Sequence, residues 1–190
     1  MKLAELNKIQ EILGYKFDNP DLLQQAFVRR SYSEERGGQN NEVLEFIGDK
    51  ALDFAVIRIM MNRFGEIVES KNNLEPRLQN PKYFATQYDE GKFTDIKMDL
   101  VNRDTLSRCI KKLGFDRYLV MGKSDIHNGV DKQASVKEDL FEAIIGAVAL
   151  DCDYNMDTIC TVVSKLIDFE SYFDSGSTQE GKVILELQRW

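Results

Sequence analysis

Apolar residues at the start of the chain recur at helical spacing. Leu3, Leu6, Ile9 and Leu13 stand three or four positions apart, which places them on one face of a helix, and Gly14 supplies a stop. Asn19-Pro20 opens a second short helix through Leu22 to Val28, because proline at the first helical position gives up no hydrogen bond. Arg36 to Asn40 is a polar, glycine-rich turn. Glu42 to Phe64 reads as one long helix capped by Asn40 or Asn41. Val43, Leu44, Phe46, Ile47, Leu52, Phe54, Val56, Ile57, Ile59 and Met60 cover nearly all its faces, the pattern of a central, buried helix.

Between Gly65 and Gly91 the pattern breaks up at Asn72-Asn73, Pro76 and Pro81. It resumes from Asn102 to Leu113, with Leu106, Cys109, Ile110 and Leu113 on one face and Gly114 as the stop. Ser135 and Glu138 have capping-box spacing and open a second strongly apolar helix that runs to about Leu150. An amphipathic stretch from Met156 to Phe169 closes the domain, and Asp174-Ser175-Gly176-Ser177 has the composition of a linker. The fold class expected is all-α, one domain over residues 1–172, with 173–190 a linker or the start of a further C-terminal segment.

Composition fits a folded soluble domain: 190 residues, 43% apolar and 30% charged. No apolar run reaches the length of a membrane span, and the opening residues lack the order of a secretory signal, so the cytoplasm is the expected compartment. Cys109, Cys152 and Cys160 suggest neither a disulfide framework nor a thiolate zinc site. The only histidine, His127, lies in the polar stretch Ser124 to Gly129, where a solvated loop is expected, so catalysis by a histidine base is disfavoured. A net charge of −7 opposes nonspecific binding to nucleic acid. That objection weakens if many of the 32 acidic residues gather in a metal site, where cations face the phosphates.

The acids are patterned. At roughly 100° per residue, Glu42, Glu45 and Asp49 share one face of the first apolar helix, and Asp139 and Glu142 share a face of the second. They could be merely the solvated sides of the two helices, paired with Lys50 and Lys137. The other positions, however, are so apolar that little solvated face remains, and buried carboxylates need cations or strong partners. Gly48 beside Asp49 and Gly146 one turn beyond Glu142 weaken their helices, and close approach of another backbone would account for both. Carboxylates facing one another across two helices suit Mg²⁺ or Mn²⁺. A di-iron bundle needs a histidine three residues after a glutamate on two helices, which this sequence lacks. Asp151-Cys152-Asp153-Tyr154-Asn155 imitates half of an EF-hand loop, but Met156 and Val162 occupy its glycine and glutamate positions, so it is read as a helix-terminal turn.

The segment from Asn41 to Asp49 (NEVLEFIGD) and the segment from Asp139 to Ala147 (DLFEAIIGA) resemble the two acidic motifs of the ribonuclease III family. Supporting matches are Leu13-Gly14-Tyr15, Phe17, Pro20, Ala26-Phe27, Ser31-Tyr32, Leu100-Val101-Asn102, Tyr118-Leu119 and Gly122-Lys123, in order from about Leu3 to Phe169. The resemblance implies that Glu45, Asp49, Asp139 and Glu142 are metal-binding catalytic carboxylates and Glu42 an auxiliary acid. It further implies an Mg²⁺-dependent endonuclease of double-stranded RNA, with Mn²⁺ able to substitute, that leaves 5′-phosphate and 3′-hydroxyl ends with short 3′ overhangs. Members dimerise through the signature helix; by resemblance Phe46 inserts into a socket on the partner, although an ordinary core phenylalanine is an equal reading. Arg29, Arg30, Lys123 and Lys137 are the candidates for RNA contact.

The sequence also departs from the family. Arg29 and Asn40 stand where many members have histidine, a change expected to affect surface contacts and not the chemistry. Residues from about 65 to 89 exceed the usual connection and could be an RNA-contacting arm, a partner site or a neutral elaboration. Lys182 to Gln188 only weakly resembles the opening helix of a double-stranded-RNA-binding domain, so the chain is either part of a longer protein or similar to the short mini-ribonuclease III branch. Against the enzyme stands one alternative, a catalytically silent RNA-bound scaffold on the same fold. All four matched acids are present, which favours the enzyme.

Overall fold

The computed structural model describes residues 1–69 and 82–174. Ten α-helices and one β-hairpin are present among them: α1 (Leu3–Leu13), α2 (Pro20–Ala26), α3 (Arg30–Arg36), α4 (Glu42–Phe64), β1 (Gly65–Glu69), β2 (Lys82–Thr86), α5 (Glu90–Val101), α6 (Arg103–Leu113), α7 (Lys123–Asn128), α8 (Ala134–Asp151), α9 (Met156–Leu166) and α10 (Phe169–Asp174). Two 3-10 turns, Asp116–Tyr118 and Val130–Lys132, complete the chain path.

The two apolar helices, α4 and α8, form the centre, with α6, α2 and α9 also packed on α8. Small residues set their separation. A methyl group on Gly48 would overlap the Glu142 carbonyl oxygen, and one on Gly146 would overlap the Leu44 carbonyl oxygen. Each glycine therefore lets its helix reach the other's backbone, the close approach for which helix propensity is given up. Around this crossing Leu44, Leu52, Val56, Leu140, Phe141, Ile144 and Val148 are all buried.

Several helix ends follow the local chemistry read above. Gly14 and Gly114 close α1 and α6 in the left-handed conformation, and Asn19 caps α2 through the Asp21 N–H. At the start of α4, of the two expected caps Asn40 supplies the side-chain acceptor, to the Glu42 N–H at 3.0 Å, while Asn41 makes no side-chain cap and is buried. Other features differ. No capping box opens α8: it starts at Ala134 without a side-chain cap, and Glu138 instead pairs with Arg103 of α6 at 2.7 Å. The stretch holding His127 is the short helix α7, not a loop, with His127 exposed in its last turn. Helices α3 and α5 are too short or too mixed in polarity to be read from apolar spacing.

The 65–89 insertion begins and ends as an antiparallel hairpin with Gly65 opposite Thr86 and Glu69 opposite Lys82. The intervening residues 70–81, with Asn72-Asn73, Pro76 and Pro81, lie outside the described residues. An aromatic cluster roots the hairpin: Phe64 packs edge-on against Tyr88 and Phe173 at 5.2 and 5.0 Å. Phe173 is buried within α10. The expected linker from Ser175 and the segment Lys182 to Gln188 lie outside the described residues. After α8 the chain turns through Asp153 and Tyr154, both at positive φ. Asp151 is committed to that corner, accepting from the Tyr15 hydroxyl at 2.8 Å and from the backbone N–H groups of Asp18 and Asn19.

Candidate active site

Where α4 crosses α8, the acids of the two helices meet. Glu142 is partly buried beside the Gly48 contact, and its carboxyl is pushed up to about 8. Loss of solvation is the largest cause, followed by repulsion from Asp49, Glu138, Glu45 and Asp139. Glu45 is raised in the same way, by burial first and then by Asp139, with Arg29 pulling it back and Glu42 and Glu138 adding repulsion. Burial raises Asp139 too, while a hydrogen bond and the charge of Arg29 oppose the shift. Acids of the two helices are thus within electrostatic reach of one another across the crossing: Asp49 and Glu45 of α4 and Asp139 of α8 each act on Glu142.

Among the described residues these side chains do not yet close on one point as a preformed metal cage. Asp49 leans to Lys50, whose ammonium lies 2.7 Å away, and Asp139 leans to Arg29 at 2.9 Å. Glu42 lies at the outer edge of the group, exposed and 3.3 Å from Arg30. All of these groups offer carboxylate oxygens, the donor type that suits a hard divalent cation.

Two features were not anticipated from the sequence. Glu138 is a further acid of the cluster, contributing to the shifts of Glu45, Asp139 and Glu142. Its spacing from Ser135 suggests a cap and hides this role. The second is the direct pairing of Arg29 with Asp139: a candidate for RNA contact beside the acids, Arg29 is 21% exposed and directs its charge at Asp139 itself. Of the remaining basic candidates, Arg30 is exposed but held by Glu34 and Glu42. Lys123 is exposed at the start of α7. Lys137 is only 5% exposed, with its ammonium donating to the Asp131 carbonyl at 2.6 Å, so it anchors the 3-10 turn before α8 and is not a surface charge.

Phe46 stands on the outer side of α4. It is 69% exposed, which removes the core-phenylalanine reading, and Val43, Phe54 and Ile57 are exposed with it. Contrary to the expectation of a helix buried all round, α4 therefore keeps an uncovered apolar stripe in the single chain.

Fold and site together define a helical protein that gathers carboxylates at the crossing of its two central helices. Residues 19–167 match the Ribonuclease-III-like family model. A ribonuclease 3 of Roseburia hominis is 43% identical over 193 aligned residues, covering 100% of this chain and 53% of that protein. A ribonuclease 3 of Treponema succinifaciens is also 43% identical, covering 90% of this chain and 43% of that protein. Among solved structures, the nuclease domain of ribonuclease III from Campylobacter jejuni superposes with a TM-score of 0.65 at 26% identity, covering 87% of this chain and 94% of that one. A second structure of that domain, described by its flexibility in a region involved in dimer formation, gives 0.66 at 25% identity, covering 85% of this chain and 94% of that one. The chain belongs to the ribonuclease III family. It spans about half the length of the curated relatives it matches. No helix among the described residues is long and apolar enough to cross a membrane.

Proposed function

We propose that this chain is the catalytic part, residues 1–172 and the end of α10, of an endoribonuclease that cuts double-stranded RNA as a homodimer. The observation that carries the reading is the close crossing of α4 and α8 at Gly48 and Gly146, which sets the acids of one helix beside those of the other. Glu45, Asp49, Asp139 and Glu142 would hold a divalent cation, Mg²⁺ or Mn²⁺, and Glu42 would assist from the edge. Such a cation supplies Lewis acidity and a nucleophilic water for in-line attack at a phosphodiester, leaving 5′-phosphate and 3′-hydroxyl ends. The chain's own residues do the rest. The Gly48–Gly146 crossing fixes the distance between the two pairs of acids, and Glu142 would have to lose its proton to solvent to serve as a ligand. Phe46 and its exposed neighbours on α4 face the second copy, whose site cuts the opposite strand and leaves a short 3′ overhang.

The test is cleavage of a perfect RNA duplex with and without Mg²⁺, with Glu142→Gln as the decisive variant. Gln keeps size and removes the charge, so folding and dimerisation persist while cleavage falls at least about a thousandfold, roughly 4 kcal/mol of transition-state stabilisation. Duplex binding persists, because losing one acid lowers repulsion with phosphate. Wild-type cleavage rates in limiting Mg²⁺ would remove Glu142 from the site. Duplex binding by the wild-type protein with no cleavage under any divalent cation would leave a silent scaffold.

A further inference from the structure

Arg29 is fixed before its side chain reaches the acids. Its backbone N–H donates to the Val120 carbonyl at 2.9 Å, Val120 in turn donates to Phe27, and the Val28 carbonyl accepts from Asn41 at 2.9 Å. The residue is thus clamped between the segment before α7 and the start of α4. From this clamp Nη1 donates to Asp139 Oδ2 at 2.9 Å, and Nε lies 3.6 Å from Asp125 Oδ2 on α7. Asp125 is held in turn by the Ser31 hydroxyl at 2.7 Å, and Ser31 accepts from the Gly122 N–H at 3.0 Å. All three charged side chains are shielded: 21% exposure for Arg29, 26% for Asp139 and 19% for Asp125.

Resting on the function proposed above, we propose that Arg29 is a positioning residue of the acid cluster, a built-in cation that orients Asp139 through one oxygen and sets a low affinity of the resting site for divalent cations. A guanidinium is charged at every accessible pH, so this compensation is permanent. In the metal-free protein it offsets part of the repulsion on Asp139 and Glu45. Toward an arriving dication the same charge is repulsive, because both compete for the field of Asp139. Nη1 engages Oδ2 and not Oδ1, so the carboxylate is oriented without being covered by a two-pronged contact. Orientation and charge therefore act in opposite directions on two measurable quantities: removing Arg29 tightens cation binding and slows turnover.

The experiment uses the whole chain without RNA, with Mn²⁺ as the probe and free Mn²⁺ read by electron paramagnetic resonance. Arg29→Gln binds Mn²⁺ at least about tenfold more tightly than wild type, the sign expected for loss of a nearby positive charge. Its cleavage of duplex RNA at saturating metal falls at least about tenfold in kcat with little change in KM, the mark of a misoriented ligand. Arg29→Lys returns the charge and brings Mn²⁺ affinity back to within about threefold of wild type. A purely structural role predicts weaker or unchanged Mn²⁺ binding in Arg29→Gln, and either result in a protein that still melts cooperatively overturns the proposal. Should Arg29→Gln fail to fold, Asp125→Asn replaces it. That change leaves Arg29 less neutralised, so Mn²⁺ affinity drops at least about twofold, and an unchanged affinity overturns the proposal. Absence of Mn²⁺ binding by the wild-type protein would instead sink the metal-site reading on which this one rests.

Discussion

Helix α8 is covered by its own chain everywhere but on its acid face: α4, α6, α2 and α9 pack round it, and Leu140, Phe141, Ile144, Ile145 and Val148 are all lost from solvent. Helix α4, its partner at the crossing, is covered on one side only. Leu44, Leu52 and Val56 face the core, while Val43, Phe46 and Phe54 are more than half exposed. Both helices look apolar all round in sequence. The difference shows that an all-round apolar helix needs cover without saying whose, and for α4 the cover proposed here is a second copy of the chain.

The side on which the two helices agree is the easiest to break. Gly48→Val drives three side-chain carbons into the Glu142 carbonyl and the Gly146 backbone, neither of which can yield without parting the helices. Overpacking against backbone is at the severe end for point mutants, so a loss above about 4 kcal/mol is expected, seen as an unfolded or aggregated protein in circular dichroism and urea melts. Gly146→Val gives the same result through the Leu44 carbonyl. A cooperative melt near the wild-type midpoint in either variant would show that the crossing is looser than described.

The uncovered side sharpens the comparison. Phe46→Glu leaves the single chain untouched, because Phe46 contributes nothing to its core. If the stripe is a self-complementary interface, a buried carboxylate facing its own copy weakens dimerisation at least about a hundredfold, in the range of interface hot spots. Sedimentation velocity reads the change. A wild-type chain that is monomeric at micromolar concentration, or an unchanged dimer in Phe46→Glu, would assign the stripe to another partner.

Legibility in the sequence follows the same divide. The bounds of α4 could be read residue for residue because an amide-bearing turn precedes it and a glycine follows. Pairing of the acids could be read because a helix converts spacing into a shared face. The contacts of Arg29 and Glu138 could not, since each is decided by a residue far along the chain, Asp139 and Arg103; that of Lys137 is local but depends on the path of the 3-10 turn at Asp131. Likewise α3, α5 and α7 are set by docking onto neighbours and carry too few apolar positions for a period to show. The hairpin at 65–69 and 82–86 was hidden by the prolines and asparagines between its strands.

The smallest expected effect is a pH dependence that belongs to α8's acid and to nothing on the stripe. Glu142 has its carboxyl raised to about 8 in the folded protein, through burial first and then the neighbouring acids. Unfolded, it returns to the ordinary range near 4. A carboxyl raised on folding favours the fold when protonated, so its contribution is complete below the unfolded value and is lost as pH climbs through 8. Glu142→Gln cannot ionise, and the metal-free variant therefore matches wild type at pH 4 to 5. It becomes progressively more stable than wild type up to about pH 8, and the gap stays constant above that. Partial solvent access screens the full shift, leaving on the order of 1 kcal/mol, or about 2–4 °C in Tm for a domain of this size. Adding Mn²⁺ at pH 8 should raise the wild-type melt and close the gap, because a bound cation replaces the proton as the counterion of Glu142. Phe46→Glu, by contrast, should show none of this profile when both proteins are compared as monomers. A gap that is absent, or that shrinks as pH rises from 5 to 8, would mean that the acids of α4 and α8 do not share a confined space.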